Sequence, residues 1–143
     1  MGKKMKKLTK EEIILLFLED PYKLADEIID ENVPKSDEIR TLICDLGSLN
    51  CVYWYVVNID KSPHPDIRQA ICKSPVHAYC YARDVDKFPR SDTREASYKD
   101  PKYAYFYAAY VDKSPRSDTR QAAYKEPHWK KRYKIWENSL KKK

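Results

Sequence analysis

Three consecutive segments of this sequence are copies of one another. DKSPHPDIRQAICKSPVHAYCYARDV begins at Asp60, DKFPRSDTREASYKDPKYAYFYAAYV at Asp86 and DKSPRSDTRQAAYKEPHWKKRYKIWE at Asp112, a spacing of 26 residues. Adjacent copies agree at 13 of 26 positions without a gap. A period of this length marks one supersecondary unit that cannot bury its own apolar face and must stack on its neighbours.

The unit reads as two helices. The chain holds 2 glycines and 9 prolines. Tight β-hairpins need residues that accept positive φ, chiefly glycine, whereas regularly placed prolines punctuate helices. Ser91 and Ser117 are placed as N-caps, with Asp92 and Asp118 in the first turn, where the helix dipole favours negative charge. The first helix is expected over Asp92–Lys99 and Asp118–Lys125. Pro75, Pro101 and Pro127 suit the first position of the second helix, which is expected from Pro101 to Tyr110 before Asp-Lys-x-Pro stops it.

The pattern weakens toward the N-terminus. Arg40, Leu42 and Cys44 align with Arg68, Ala70 and Cys72 if two extra residues lie near Gly47, and Tyr53 and Tyr55 then align with Tyr79 and Tyr81. Asp20-Pro21 starts a further helix, and Thr9 with Glu12 forms a capping box. The fold expected is all-α: a right-handed α-solenoid-like stack of about five helical hairpins in a single domain over residues 1–143. Its parts are a basic tail (1–7), a capping hairpin (8–33), a degenerate repeat (34–59), repeats at 60–85, 86–111 and 112–137, and a basic tail (138–143).

The run KDPKYAYFYAAYVDKSPRSD resembles the short "DPxxAYxYA" α-helical repeats of phage and bacterial proteins, most of them without a characterised function. The resemblance covers roughly residues 60–137. It implies an α-solenoid and a phage or mobile-element origin, and is nearly silent on activity. The last copy departs from it, with Lys130, Lys131, Arg132 and Lys134 replacing the Ala/Tyr face.

The recurring columns carry the functional alternatives. Val52/Val56, Ala78/Ala82 and Ala104/Ala108 form a narrow i, i+4 stripe for close helix packing. Tyr53, Tyr79 and Tyr105 make one aromatic column, Tyr55, Tyr81, Tyr107 and Tyr133 a second, and His77, Tyr103 and Trp129 a third. A tyrosine buries its ring while its hydroxyl finds a polar partner. These columns therefore form either inter-repeat seams or an aromatic ladder for a ligand, with Tyr79, Tyr81, Tyr103, Tyr105, Tyr107, Trp129 and Tyr133 as partner-binding candidates. Arg68, Arg94 and Arg120 recur with Asp66, Asp92 and Asp118, two residues apart and so not facing each other within a helix. They brace one repeat against the next or form a phosphate-binding ladder.

Charge is uneven around a net +6: +5 over residues 1–10, −8 over 11–50, +3 over 51–124 and +6 over 125–143. The leading expectation is a non-catalytic protein-interaction scaffold, with self-association suggested by the apolar run Ile13–Leu18. The alternative is DNA or RNA binding through Lys130, Lys131, Arg132, Lys134, Arg94 and Arg120, interleaved with Trp129, Tyr133 and Trp136. A remote third reading is a base-excision-type enzyme, by analogy of fold alone. No phosphate loop, nucleophile elbow or HExxH motif occurs, so no catalytic residue, cofactor or metal is assigned. His77, Cys80 and Cys72 make at most a partial zinc set. No secretory signal, membrane span or myristoylation motif is read. The 4 cysteines are taken as free thiols acting as small hydrophobes in the cytoplasm.

Overall fold

The fold is known from a computed structural model that describes residues 6–142. The basic tail read at 1–7 therefore lies mostly outside the described residues. Among the described residues the chain is all-α, with ten α-helices and no strand. It resolves into two compact units, the first ending at Ile71 and the second beginning at Cys72. The division falls inside the 60–85 repeat, between its two helices.

The first unit holds α1 (Lys10–Glu19), α2 (Pro21–Ile29), α3 (Asp37–Leu46), α4 (Leu49–Tyr55) and α5 (Pro65–Ile71). Thr9 and Glu12 form the expected capping box, with Thr9 Oγ1 accepting from the Glu12 N–H at 3.1 Å and Glu12 Oε1 from the Thr9 N–H at 2.8 Å. Asp20 ends α1 and caps α2, where Pro21 takes the first helical position. Gly47 ends α3 at φ +87°, where a Cβ would meet no atom, so backbone conformation alone calls for glycine. The buried side chains are branched aliphatics such as Leu24, Ile28, Ile43, Val52 and Ile67.

The second unit holds α6 (Pro75–Tyr81), α7 (Ser91–Ser97), α8 (Pro101–Tyr107), α9 (Ser117–Ala123) and α10 (Pro127–Lys141). Its core pairs large rings with small residues: Tyr105 and Tyr133 pack with Ala104, Ala108, Ala122 and Ala123. Tyr79 and Tyr107 pack with Ala82 and Val111. Alternating large and small residues lets short helices interdigitate without voids. The Val/Ala stripe read from the sequence is fully buried.

Three second helices end in a way the sequence did not reveal. α4, α6 and α8 run into π-helical turns, π1 (Val56–Asp60), π2 (Ala82–Asp86) and π3 (Ala108–Asp112). In the first two, the Lys61 and Lys87 N–H groups reach back five residues, to Val56 O at 2.7 Å and Ala82 O at 2.8 Å. Each turn closes on a lysine in the left-handed region: Lys61, Lys87 and Lys113, at φ +58° to +62°. The Asp-Lys pair is thus a helix stop in which lysine stands where glycine is the usual residue.

The first helices also start differently from expectation. α7 begins at Ser91, with Arg90 as the capping residue and no side-chain cap, and α9 repeats this at Ser117 and Arg116. A buried tyrosine from the following helix ties down the entry instead. The Tyr107 hydroxyl accepts from the Arg90 N–H at 3.0 Å, donates to the Arg90 carbonyl at 3.0 Å and lies 2.7 Å from Thr93 Oγ1. Tyr133 does the same for Arg116 and Thr119, and Tyr55 for Pro34 and Ser36. The Tyr55/Tyr107/Tyr133 column is a set of latches between successive hairpins.

Arginine braces the same joints. Arg94 makes a bidentate pair with Asp112, 18 residues on, with contacts of 2.8–3.2 Å. Arg40 pairs with Asp60 in the first unit. The acid partner is therefore the aspartate that opens the next Asp-Lys motif, not Asp92 or Asp118. Those two instead accept from the Thr93 and Thr119 N–H groups at the helix starts.

Candidate nucleic-acid interface

The last copy lacks a following Asp-Lys stop, so its second helix does not turn. α10 runs 15 residues, against seven for α6 and α8. Residues 138–141, read from sequence as tail, continue this helix.

Three of its lysines share one side with its one acid, Glu137. At about 100° per residue, Lys130, Lys134 and Lys141 fall within about 40° of one another, and Lys131 lies about 100° round from Lys130. All four are exposed. Among the described residues Lys130, Lys131, Arg132 and Lys134 make no ion pair. The one acid within the helix, Glu137, is turned toward Arg120, which holds it through contacts of 3.2 and 2.7 Å. That hydrogen bonding, reinforced by the charges of Arg120 and Lys141, keeps the Glu137 carboxyl below the usual carboxylate range.

Aromatic rings flank the lysines. Lys130 and Lys134 lie over the Tyr124 ring, at 5.3 and 5.7 Å. The Arg132 guanidinium lies over Trp129 and Tyr105, at 5.9 and 5.8 Å. From Trp129 the rings continue along α8 and π3: Trp129 to Phe106 at 5.6 Å, Phe106 to Tyr103 at 5.7 Å and Phe106 to Tyr110 at 5.9 Å. Lys102 stacks over Tyr103 and Phe106. Tyr103, Phe106 and Trp129 are half-buried and Tyr110 is exposed, so ring faces and edges reach solvent beside the cations.

The candidates read from sequence divide accordingly. Lys130 and Lys134 share one side of α10, over Tyr124, whereas Lys131 lies about 100° and Arg132 about 200° round from Lys130, the latter over Trp129 and Tyr105. Tyr103 and Trp129 belong to the aromatic band beside them. Tyr79, Tyr81, Tyr105, Tyr107 and Tyr133 are buried, the last two and Tyr81 with no exposed surface. Tyr107 and Tyr133 are the latches described above, so that column does not form an exposed ladder. Burial pushes the Tyr79, Tyr107 and Tyr133 phenols upward. Arg94 and Arg120 are committed to Asp112 and Glu137. Phe106, Tyr110 and Lys102 were missed, because they stand outside the recurring aromatic columns.

The first unit offers a different surface. Leu15, Leu18 and Tyr22 are all at least two-thirds exposed, and Ile29 and Trp54 are partly so. Phe17, Tyr22, Ile29, Leu46 and Trp54 contribute to one groove of about 430 Å³. Burial raises the Cys44, Cys51 and Cys80 thiols, Cys44 to about 11; among the described residues the four cysteines form no disulfide. Among the described residues no group of three His, Cys, Asp or Glu is placed to hold a metal ion, and no helix is long and apolar enough to cross a membrane. No protein-family model matches the chain, and no curated protein or solved structure shows significant similarity to it.

Proposed function

We propose that this protein is a non-catalytic helical-repeat module that binds single-stranded nucleic acid through its C-terminal unit. The observation that carries this reading is the lysine side of α10, where the one acid, Glu137, is engaged by Arg120 and partly open aromatic rings border the cations. Phosphates neutralise such a stripe by releasing counterions, and unpaired bases stack on neighbouring rings with little regard to sequence. The burial of Tyr79, Tyr81, Tyr105, Tyr107 and Tyr133 supports the same choice, since it removes five of the seven aromatic residues on which a protein scaffold would rest.

The test is a salt titration of binding to a fluorescent oligothymidylate, a single-stranded RNA and a duplex of equal length. Five cations in contact give a slope of log K against log salt of about −3.5 for a single strand. Lys130→Gln/Lys131→Gln/Lys134→Gln lowers its magnitude by about 2. A flat salt dependence, or a duplex bound as tightly as the single strands, overturns the proposal.

The exposed apolar residues of α1 and α2 favour a second reading, a protein partner for the acidic first unit. Monomeric surfaces rarely leave large contiguous apolar patches open. Leu18→Lys/Tyr22→Ser abolishes partner capture while leaving the thermal transition in place, if that reading holds.

A further inference from the structure

Adjacent copies agree at 13 of 26 positions, so an aromatic side chain where other copies are polar is informative when folding does not require it. At the third position of the repeat, Ser62 and Ser114 flank Phe88, which stands in the middle copy. At the twenty-fifth, Asp84 and, by the alignment above, Asn58 precede Tyr110; the last member, Trp136, packs on Tyr133 within the C-terminal core. Phe88 and Tyr110 are each 53% exposed. Two polar columns have thus been replaced by open aromatic rings that add little to the core.

Both rings line one groove of about 390 Å³ between π2 and π3, within the range of about 300–1,000 Å³ usual for small-molecule sites. Its other walls include Arg83, Lys87 and Lys113, and no acid. Lys87 and Lys113 are the left-handed residues that close the two π-turns. Both are exposed, and among the described residues neither makes an ion pair. Arg83 is held in place by Asp84 through two contacts of 2.8 Å and lies over the Tyr79 ring. The groove therefore offers two exposed ammonium groups, one guanidinium held by Asp84 and two ring faces. Phe106 connects it through ring contacts to Trp129 at the start of α10.

We infer that this groove is a nucleotide subsite, taking a base against Phe88 and Tyr110 and its phosphate at Lys87 and Lys113. Its choice of occupant rests on the nucleic-acid reading of α10. The nucleotide comes either from a bound strand or free, and the two sources separate experimentally.

The experiment uses the full chain, isotopically labelled, with amide shifts followed by NMR during titration with thymidine monophosphate, inorganic phosphate and oligothymidylate. Phe88→Ser and Tyr110→Asn restore residues that other copies carry at those positions, so the fold is retained. The monophosphate is expected to shift Lys87, Phe88, Tyr110 and Lys113 saturably and more tightly than inorganic phosphate, and the double variant to abolish this. The double variant also weakens oligothymidylate about tenfold, the scale of losing one stacked base. If the oligomer binds with its salt dependence intact but neither ligand moves the groove and the double variant binds equally well, the subsite is overturned while the function of α10 stands. If the monophosphate fills the groove but no oligomer binds, the strand reading falls and a free-nucleotide site remains. Equal affinity for inorganic phosphate overturns the stacking role, and tighter binding of a phosphotyrosine peptide overturns the nucleotide assignment.

Discussion

Replacing Tyr107 by phenylalanine tests whether the tyrosine column latches the fold. The ring stays and only the hydroxyl goes, so no large cavity confuses the result. That hydroxyl serves the Arg90 N–H, the Arg90 carbonyl and Thr93 Oγ1, all within 3.0 Å. Thr93 is fully buried and keeps only a longer contact, 3.3 Å to the Arg90 carbonyl. Two protein groups lose their best partner, and each loss costs about 1 kcal/mol or somewhat more in a buried site. The expected destabilisation is about 2–3 kcal/mol. At about 3 °C per kcal/mol for a chain of this length, Tm falls by about 6–9 °C. Tyr110→Phe, on an exposed ring, serves as the control and stays within about 0.5 kcal/mol. Thr93→Val combined with Tyr107→Phe is less than additive, because both changes remove the same contact. Alkaline titration gives an independent arm. Burial raises the Tyr107 phenol above its unfolded value of about 10. The neutral phenol's contribution is therefore complete below about pH 10 and is lost as pH climbs through the folded value. Wild type loses stability in that window, and the phenylalanine variant loses less of it. If Tyr107→Phe melts within 2 °C of Tyr110→Phe by circular dichroism, the latch is not a stabilising element and the column must be explained otherwise.

Two further outcomes follow from the packing. Ser97 is fully buried and its hydroxyl lacks a hydrogen-bond partner among the described residues, whereas the next copy carries Ala123 there; Ser97→Ala stabilises by about 1 kcal/mol in urea unfolding, and a loss of stability counts against the orphaned hydroxyl. Arg40→Met leaves the Asp60 carboxylate, 2% exposed, without its bidentate partner and costs about 3–5 kcal/mol. A change below about 1 kcal/mol in the denaturant midpoint, converted through the m-value, shows the pair to be dispensable.

Much of the architecture is legible in the residues because the local signals agree with one another. The period, the Asp-Pro helix starts, the Thr9 capping box and the alanine stripe all depend on near neighbours in sequence. Arginine bracing was also readable, but its acid partner was not. Arg94 reaches Asp112 across 18 residues, and periodicity does not rank that partner above Asp118, six residues further on. The π-turns were invisible for a related reason. No composition marks a five-residue hydrogen bond, and lysine is a poor advertisement for a left-handed backbone. The aromatic columns failed differently: Tyr103 and Tyr107 stand four residues apart on one helix, and only the preceding hairpin decides that Tyr107 is fully buried while Tyr103 stays half-buried. The basic candidates on α10 were readable as a run, but the pairing that engages Glu137 among them depends on where Arg120 sits.

A consequence for function follows from how the columns are used. A recurrent side chain in a stacked repeat is usually consumed by the joint to the next copy, and here Arg94, Asp112, Thr93 and Tyr107 all meet at one joint. Such residues have spent their hydrogen bonds and their surface, so they recognise a ligand only at the expense of stability. Ligand contacts fall instead to positions that the joint leaves free. Among the described residues no further copy packs against α10, which leaves its lysines open, and the groove beside π3 gains its rings because Phe88 and Tyr110 occupy positions that serine and aspartate fill elsewhere without loss of the fold. On this logic, substitutions in the recurrent columns change stability and binding together. Substitutions at Lys131, Phe88 or Tyr110 change binding alone, and that contrast separates recognition from folding.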